Sequence, residues 1–332
     1  MKVITCFSYK GGAGRTTAAA NIAAALASIE ENVGSVAAPL SRKVALIDLD
    51  VFSAGTHRVF EITNEQINEF VKDGKPCVQD YLRQQMAPST YIDDGSIVLD
   101  HPYMENFRMK RGGANNMSPS FTLFPAKPDP DTKFIVQKQH ENVLVELLME
   151  LEKKERGFDY VILDGESGVR QMADIALRLA DVVLMFFRLT WQHIEGTLNT
   201  AEDFQKKTRV KPFYLIPTCV PLVQGEENVY REGVAGLTEL RRLTELIPKE
   251  SKLNDYAERN NTVSNEQGKW TSAGYFWAGP DGSANRLCIH DSLYLRGEER
   301  ILVFDAAARR DRAAEDYYRI AVEINRLHDP ST

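Results

Sequence analysis

Three short stretches of the chain carry residues whose types and spacing suit a phosphorylated ligand. The first is Tyr9-Lys10-Gly11-Gly12-Ala13-Gly14-Arg15-Thr16-Thr17. Its three glycines allow a tight turn that brings backbone N–H groups against an anion with no Cβ in the way. Lys10 and Arg15 add two cations, and Thr16 stands where a hydroxyl would meet Mg²⁺. The second stretch is Asp48-Leu49-Asp50. Carboxylates at alternate positions lie on the same side of an extended chain, and at the carboxyl end of a strand they face the crevice where ligands bind. The third is Asp164, which ends the apolar run Phe158 to Leu163. A carboxylate at the tip of such a strand reaches Mg²⁺ through water.

These groups act together only if strands and helices bring them to one place. Val3 to Phe7 is an apolar, β-branched run that reads as a buried strand, and the alanine-rich Ala18 to Leu26 reads as a helix. Strand, glycine loop and helix in that order form a phosphate-binding context, and the helix N-terminus adds partial positive charge. Further buried strands are expected at Lys43–Ile47, Ser120–Ala126, Phe158–Asp164, Ala180–Phe187 and Pro212–Val220. Helices are expected at Ile135–Lys154, Thr190–Lys207 and Ala306–Leu327; in the last, Ala313, Tyr317, Ile320, Ala321 and Ile324 share one apolar stripe.

Glu30–Arg42 reads as an irregular exposed excursion. Leu287–Asp291 and Ile301–Phe304 read as short strands or extended segments. The pattern predicts a doubly wound α/β fold, with a mainly parallel sheet flanked by helices. It also predicts a single domain over residues 1–332 with insertions at about 54–119 and 254–286. The first insertion carries short helices at Glu65–Lys72 and Val78–Met86, then a glycine- and asparagine-rich loop at Arg108–Ser118. The second is polar, with Trp270, Tyr275, Phe276 and Trp277 embedded, and reads as a small hairpin on the body.

The chain of 332 residues is long enough to bury a large core, and its 43% apolar and 26% charged residues are those of an ordinary globular protein. A net charge of −7 argues against a surface given over to nucleic acid. Cys6, Cys77, Cys219 and Cys288 are scattered with no CxxC spacing, as expected of reduced thiols in a cytoplasmic protein rather than of a disulfide framework or metal site. Met1 leads straight into the first strand, so no signal peptide is expected, and no apolar run is long enough to span a bilayer.

The standard phosphate loop would place a glycine at Tyr9 and a lysine at Arg15. The stretch instead resembles the deviant Walker A loop of the ParA/MinD ATPases, KGGxGK[ST], in a variant reading KGGxGR. Lys10 takes the place of the signature lysine and Arg15 that of the loop lysine. Asp48 and Asp50 resemble the family's DxD, Asp164 its Walker B aspartate, and Phe124-Pro125-Ala126 its strand-ending Pro-Ala. Gly165-Glu166-Ser167-Gly168 falls where the family has a nucleotide-sensing switch loop, though the usual Asp-x-Pro-Pro is absent.

The resemblance implies ATP and Mg²⁺ as ligands, with residues 10 to 17 holding the phosphates and Thr16, Asp48 and Asp164 the metal. It gives Asp50 the orientation of attacking water and Lys10 a reach across a homodimer formed in the ATP state. The family's base-reading asparagine is missing after the Pro212–Val220 strand, which leaves Thr218 or the backbone to contact the base. Glu166 and Arg170 are polar loop residues with either an interfacial or a merely solvated role.

The implied function is a slowly hydrolysing switch that positions, partitions or assembles an unidentified protein partner. The alternative is a nucleotide-binding module that does not turn over, motivated by the planar fork of Arg15. A bacterial-type tyrosine kinase would need a tyrosine-rich tail, whereas only Tyr317 and Tyr318 lie near the end. Nonspecific DNA binding is open but not favoured; Arg108, Lys110, Arg111, Arg241, Arg242, Arg309, Arg310 and Arg312 are its basic spots. The last helix lacks the basic, bulky-apolar character of a membrane anchor.

Overall fold

Lys2–Phe7 forms strand β1, whose interior residues are buried from Val3 onward, and Arg15–Ala27 forms helix α1. A computed structural model of the chain describes residues 1–33, 36–39, 42–84, 86–100, 120–128, 134–168, 170–188, 190–207, 213–219, 287–292, 295, 302–304 and 311–328. Within these, β4 (Val44–Asp48), β6 (Ser120–Phe124), β7 (Tyr160–Asp164), β8 (Val182–Arg188) and β9 (Phe213–Thr218) join β1 in one sheet. A further strand, β5 (Ile97–Asp100), completes the order β5-β6-β4-β7-β1-β8-β9. All neighbours run parallel except β5, which pairs antiparallel with β6 at the edge. This is the doubly wound, mainly parallel sheet that the sequence predicts.

The sheet is covered on both faces, which is why its strands read as continuous apolar runs. Successive residues alternate between two cores. Ile4, Cys6, Val44, Leu46, Ile162 and Leu184 pack with α1 and with α8 (Arg312–His328). Val3, Ala45, Ile47, Val161 and Leu163 pack with α5 (Gln139–Glu152) and α6 (Gln171–Leu179). The predicted stripe of α8, Ala313, Tyr317, Ile320, Ala321 and Ile324, is buried in the first of these cores.

Alanines 18, 19, 20, 23, 24 and 25 let α1 be buried on nearly every side. Asn21 is polar in that setting but paired: its Nδ2 donates to the Thr17 carbonyl at 2.8 Å, and its Oδ1 accepts from the Val303 N–H at 2.9 Å.

The described part of residues 54–119, expected from the sequence to be an insertion, contains a 3₁₀ turn, Thr56–Phe60, then α2 (Asn64–Lys72), α3 (Val78–Gln84) and α4 (Pro88–Asp94). A capping box between Thr63 and Gln66 starts α2. Two expectations are corrected. Glu30–Arg42 is not wholly irregular: β2 (Glu30–Val33) and β3 (Val36–Pro39) pair antiparallel, with Val33 opposite Val36. Gly34-Ser35 lies between them, a dipeptide that signals a two-residue hairpin. In Ile301–Phe304, Val303 and Phe304 lie in a turn, not a strand, because the Val303 N–H bonds to Asn21 and not to a neighbouring strand.

Asp316 on α8 anchors the segment 287–292. One of its oxygens accepts both the backbone N–H and the ring Nδ1 of His290, at 2.9 and 2.7 Å, and Arg312 lies 3.5 Å from the other. Cys288, 3.8 Å from that Nδ1, is a free thiol pushed up to about 12 by burial. The other three cysteines are free thiols as well. No helix among the described residues is long and apolar enough to cross a membrane.

Candidate phosphate-binding site

Parallel register brings the three predicted stretches together. Asp48 at the end of β4 is paired with Asp164 at the end of β7, and Asp164 with Cys6 at the end of β1. The loop that follows β1 thus begins at the level of both aspartates. Gly12 and Gly14 have φ of 81° and 76°, the left-handed region that a side chain disfavours. Gly14 caps α1, its carbonyl accepting the Ala18 N–H at 2.8 Å, and no side chain caps the first turn. Those amides therefore face the ligand side with no acceptor from the cap, as an anion site needs. Gly11, Gly12 and Gly14 are exposed, Ala13 is buried beneath them, and Thr16 and Thr17 are half-buried in the first helical turn.

Tyr9 occupies the place of the missing glycine and packs its ring on α7 (Trp191–Lys207) at Gly196. A Cβ added there would lie 2.1 Å from the ring. Lys10 is exposed, and its Nζ donates to Gln192 Oε1 on the same helix at 2.8 Å. The sequence reading named neither Gly196 nor Gln192. The available signal was a glycine inside a helical pattern, which costs about 1 kcal/mol and so asks for a packing reason.

Arg15 points inward. Its Nε donates to Asp164 Oδ1 and its Nη2 to Asp50 Oδ2, both at 2.8 Å. Arg15 and Asp164 are 7% and 0% exposed, so the bridge lies in the interior. Burial opposes the guanidinium charge, yet Asp164 and then Asp50 hold its pKa above the ordinary value. Asp164 Oδ2 accepts the Thr56 hydroxyl at 2.8 Å. Asp48 accepts backbone N–H groups of Asp50, Gly55 and Thr56 at 3.1, 3.3 and 3.2 Å. Burial and then repulsion from Asp164 and Asp50 push the Asp48 carboxyl well above the usual range. Burial also raises Asp50, with Arg15 pulling the other way.

The segment after β7 lies against the glycine loop. Gly165 N–H donates to the Cys6 carbonyl at 3.3 Å, and Gly168, at φ 84°, donates to Ser8 at 3.0 Å. A Cβ on Gly11 would lie 3.9 Å from Ser167 Oγ. Between them Glu166 is 3% exposed, with Oε1 paired to Arg170. Its Oε2 is buried and has no hydrogen-bond partner among the described residues. Thr218 sits beneath the loop, where its hydroxyl donates to the Ala13 carbonyl at 2.9 Å and lies 3.3 Å from that of Phe187. In this structure it supports the loop rather than lining its mouth.

Asp48, Asp50 and Asp164 thus lie together at the strand ends with Arg15 among them, while Lys10 points to α7 and Thr218 lies beneath the loop. As donors, the Thr16 hydroxyl and the Asp48 and Asp164 carboxylates are the hard oxygens that Mg²⁺ takes. They fit such an ion in kind, provided Asp164 exchanges its Arg15 contact. Of the basic spots, Arg312 is on α8; residues 108, 110, 111, 241, 242, 309 and 310 lie outside the described residues, as do the aromatics of the second insertion.

A family model described as an AAA domain matches residues 1–213, which include the glycine loop and all three aspartates. No curated protein matches the chain by sequence. Among solved structures, pNOB8 ParA bound to nonspecific DNA superposes with a TM-score of 0.63 at 16% identity, covering 100% of this chain and 99% of that one. A putative plasmid partition protein from Borrelia burgdorferi, bound to AMPPNP, gives 0.54 at 17% identity over 98% and 97%. The septum site-determining protein MinD of Pyrococcus horikoshii, complexed with Mg-ADP, gives 0.52 at 15% over 100% and 98%. At such identities these likenesses speak for the fold. The match over residues 1–213 places the chain in this AAA-domain family, with the fold of the ParA/MinD-type P-loop ATPases.

Proposed function

We propose that the protein is a Mg-ATP-dependent dimeric switch that hydrolyses ATP slowly and positions, partitions or assembles a partner. The observation that carries this reading is the contact of the 165–168 segment with the start of the glycine loop through Gly168 and Ser8, just beyond Asp164 and its register partners Asp48 and Cys6. A γ-phosphate held by the loop would bear on that segment directly, as in switches that order and disorder with nucleotide.

In this reading the loop amides from Gly11 to Thr17 bind the phosphates and Arg15 turns from Asp164 toward them as the ligand in cis. Thr16, Asp48 and Asp164 would hold Mg²⁺, which when bound neutralises charge on the phosphate oxygens. Lys10, already exposed, reaches across to the phosphates of the second subunit. Thr218 keeps the loop in register with β9.

Phosphate release by the purified protein, measured with and without DNA, tests the hydrolysis. Light scattering with a non-hydrolysable ATP analogue tests the dimer. Catalytic turnover together with a nucleotide-dependent doubling of mass is the expected result. An unchanged mass and no release would remove the reading. A module that binds without turnover is the second reading, favoured by the full engagement of the Arg15 fork. It is the better one if ATP binds and no phosphate appears. DNA binding, if it accompanies the ATP state, must weaken steeply with salt, since phosphate contacts release counterions.

A further inference from the structure

We propose that Glu166, rather than Asp50, is the carboxylate that orients the attacking water, a role that rests on the hydrolysis reading above. Asp50 has both oxygens engaged: Arg15 holds Oδ2, and the Ser53 N–H donates to Oδ1 at 3.1 Å. Glu166 is different. It lies two residues beyond Asp164, in the segment whose Gly168 and Ser167 abut Ser8 and Gly11. Its Oε1 is fixed by Arg170, while Oε2 is buried without a partner among the described residues.

Native proteins rarely leave a buried acceptor unmet, and where they do a ligand, water or catalytic role is the usual reason. Here the anchored oxygen sets the direction of the free one, in a segment that abuts the glycine loop through Ser167 and Gly168.

The step balances with ATP and water alone. The water oxygen bonds to the γ-phosphorus as the bond from phosphorus to the β–γ bridging oxygen breaks. The bridging oxygen keeps the electron pair and leaves on ADP. Glu166 Oε2 accepts a hydrogen bond from the water and takes the proton it loses, which then passes to solvent, and inorganic phosphate remains. Asp50 in this scheme is a partner of Arg15 and not of water.

The test compares the unaltered protein with Glu166→Gln, Asp50→Asn and Arg170→Ala, reading kcat, KM and affinity for a fluorescent non-hydrolysable ATP analogue. Glu166→Gln keeps shape and an acceptor for Arg170 but cannot take a proton. Its kcat should fall by about 10²-fold or more, the scale of general-base catalysis, with KM and analogue affinity unchanged. Arg170→Ala, which frees the side chain without removing it, should lower kcat by less and leave KM alone, and it serves if the glutamine variant does not fold. Turnover preserved in Glu166→Gln but lost in Asp50→Asn returns the role to Asp50. Loss of analogue affinity in Glu166→Gln equal to the loss of turnover makes Glu166 structural. If the unaltered protein binds the analogue and releases no phosphate, it is the hydrolysis reading that fails, and this role goes with it.

Discussion

Arg15 Nε and Asp164 Oδ1 lie 2.8 Å apart with both side chains out of solvent, so the cation of the glycine loop is paired with the aspartate at the tip of β7. The same guanidinium reaches Asp50 through Nη2, which makes it a bridge between two strands' ends. Only arginine has the planar fork to serve both carboxylates at once. A lysine there would keep the charge as a compact ammonium without the planar fork set to span both carboxylates.

From this bridge we predict that Arg15→Ala destabilises the nucleotide-free protein by about 3–5 kcal/mol, the cost of leaving buried charges without their partner. Arg15→Lys should cost less, since a cation remains opposite the two carboxylates. Urea unfolding of both variants measures it. A loss under about 1 kcal/mol for the alanine variant, the value of an exposed pair, would contradict the buried bridge.

A second expectation concerns metal dependence. If Arg15 leaves Asp164 when Mg-ATP binds, Asp164→Ala should weaken Mg-ATP by about 10–100-fold, as losses around a metal's ligand shell do, and metal-free ATP far less. Titrations with and without EDTA separate the two. Equal losses would mark Asp164 as purely structural.

Lys10 contacts Gln192 at the surface and nothing buried depends on it. Lys10→Ala should therefore leave the melting temperature and the monomer's ATP affinity unchanged. Turnover should fall by about 10³-fold or more, as when a charge delivered in trans is removed. Loss of ATP binding in this variant, with binding retained in Arg15→Ala, would reverse the two assigned roles.

Gly196 gives a prediction of unusual sign. In an unconstrained helix interior, glycine to alanine gains about 1 kcal/mol. Here the new methyl would meet the Tyr9 ring at 2.1 Å, so Gly196→Ala should instead cost about 1–3 kcal/mol, as overpacking does. It should also weaken nucleotide binding in the proposed reading, because Tyr9 leads into the glycine loop whose amides would hold the phosphates. The double variant with Tyr9→Ala should recover much of the stability. Thermal melts of the three proteins decide.

His57 supplies a pH dependence. It is fully buried next to Thr56, with Nε2 2.9 Å from Asn64 Oδ1, and burial lowers its pKa below the ordinary 6.5 despite that hydrogen bond. A base whose folded pKa is depressed contributes stability that is present above its unfolded value and lost on acidification. Stability should therefore fall below pH about 6.5, with a slope of at most about 1.4 kcal/mol per pH unit from this one proton. His57→Gln should flatten that slope in denaturant titrations between pH 7 and the folded pKa. An unchanged slope would show that other groups set it.

Much of the fold was legible because buried parallel strands write themselves as apolar runs, and residues 44–47, 160–163 and 182–187 do so without interruption. The site's residue types were legible for the same reason: Asp48 and Asp164 stand at strand tips, where register had to align them. What the residues did not reveal was direction. Nothing in KGGxGR says whether the arginine faces outward to phosphate or inward to Asp50, since that is decided by carboxylates 35 and 149 positions away. The edge strand β5 was missed because Ile97–Asp100 is only four residues long, and its pairing with β6 is a tertiary fact. The importance of Gly196 and Glu166 likewise depends on neighbours distant in the chain.

The near-complete burial of α1 among alanines has a consequence for motion. A helix packed by its backbone on the sheet on one side and on α8 on the other, and pinned at Asn21 to Val303, has no slack in which to slide or rotate. The end of α1 that would meet the phosphates in the proposed reading is therefore a fixed reference. In the proposed reading, a rearrangement imposed by nucleotide would be taken up opposite it, in the short stretch from Gly165 to Gly168, whose glycine at φ 84° tolerates a change of backbone angle that the helix does not. Displacement would then be one-sided, with the loop behaving as an anvil and the segment after β7 as the part that moves.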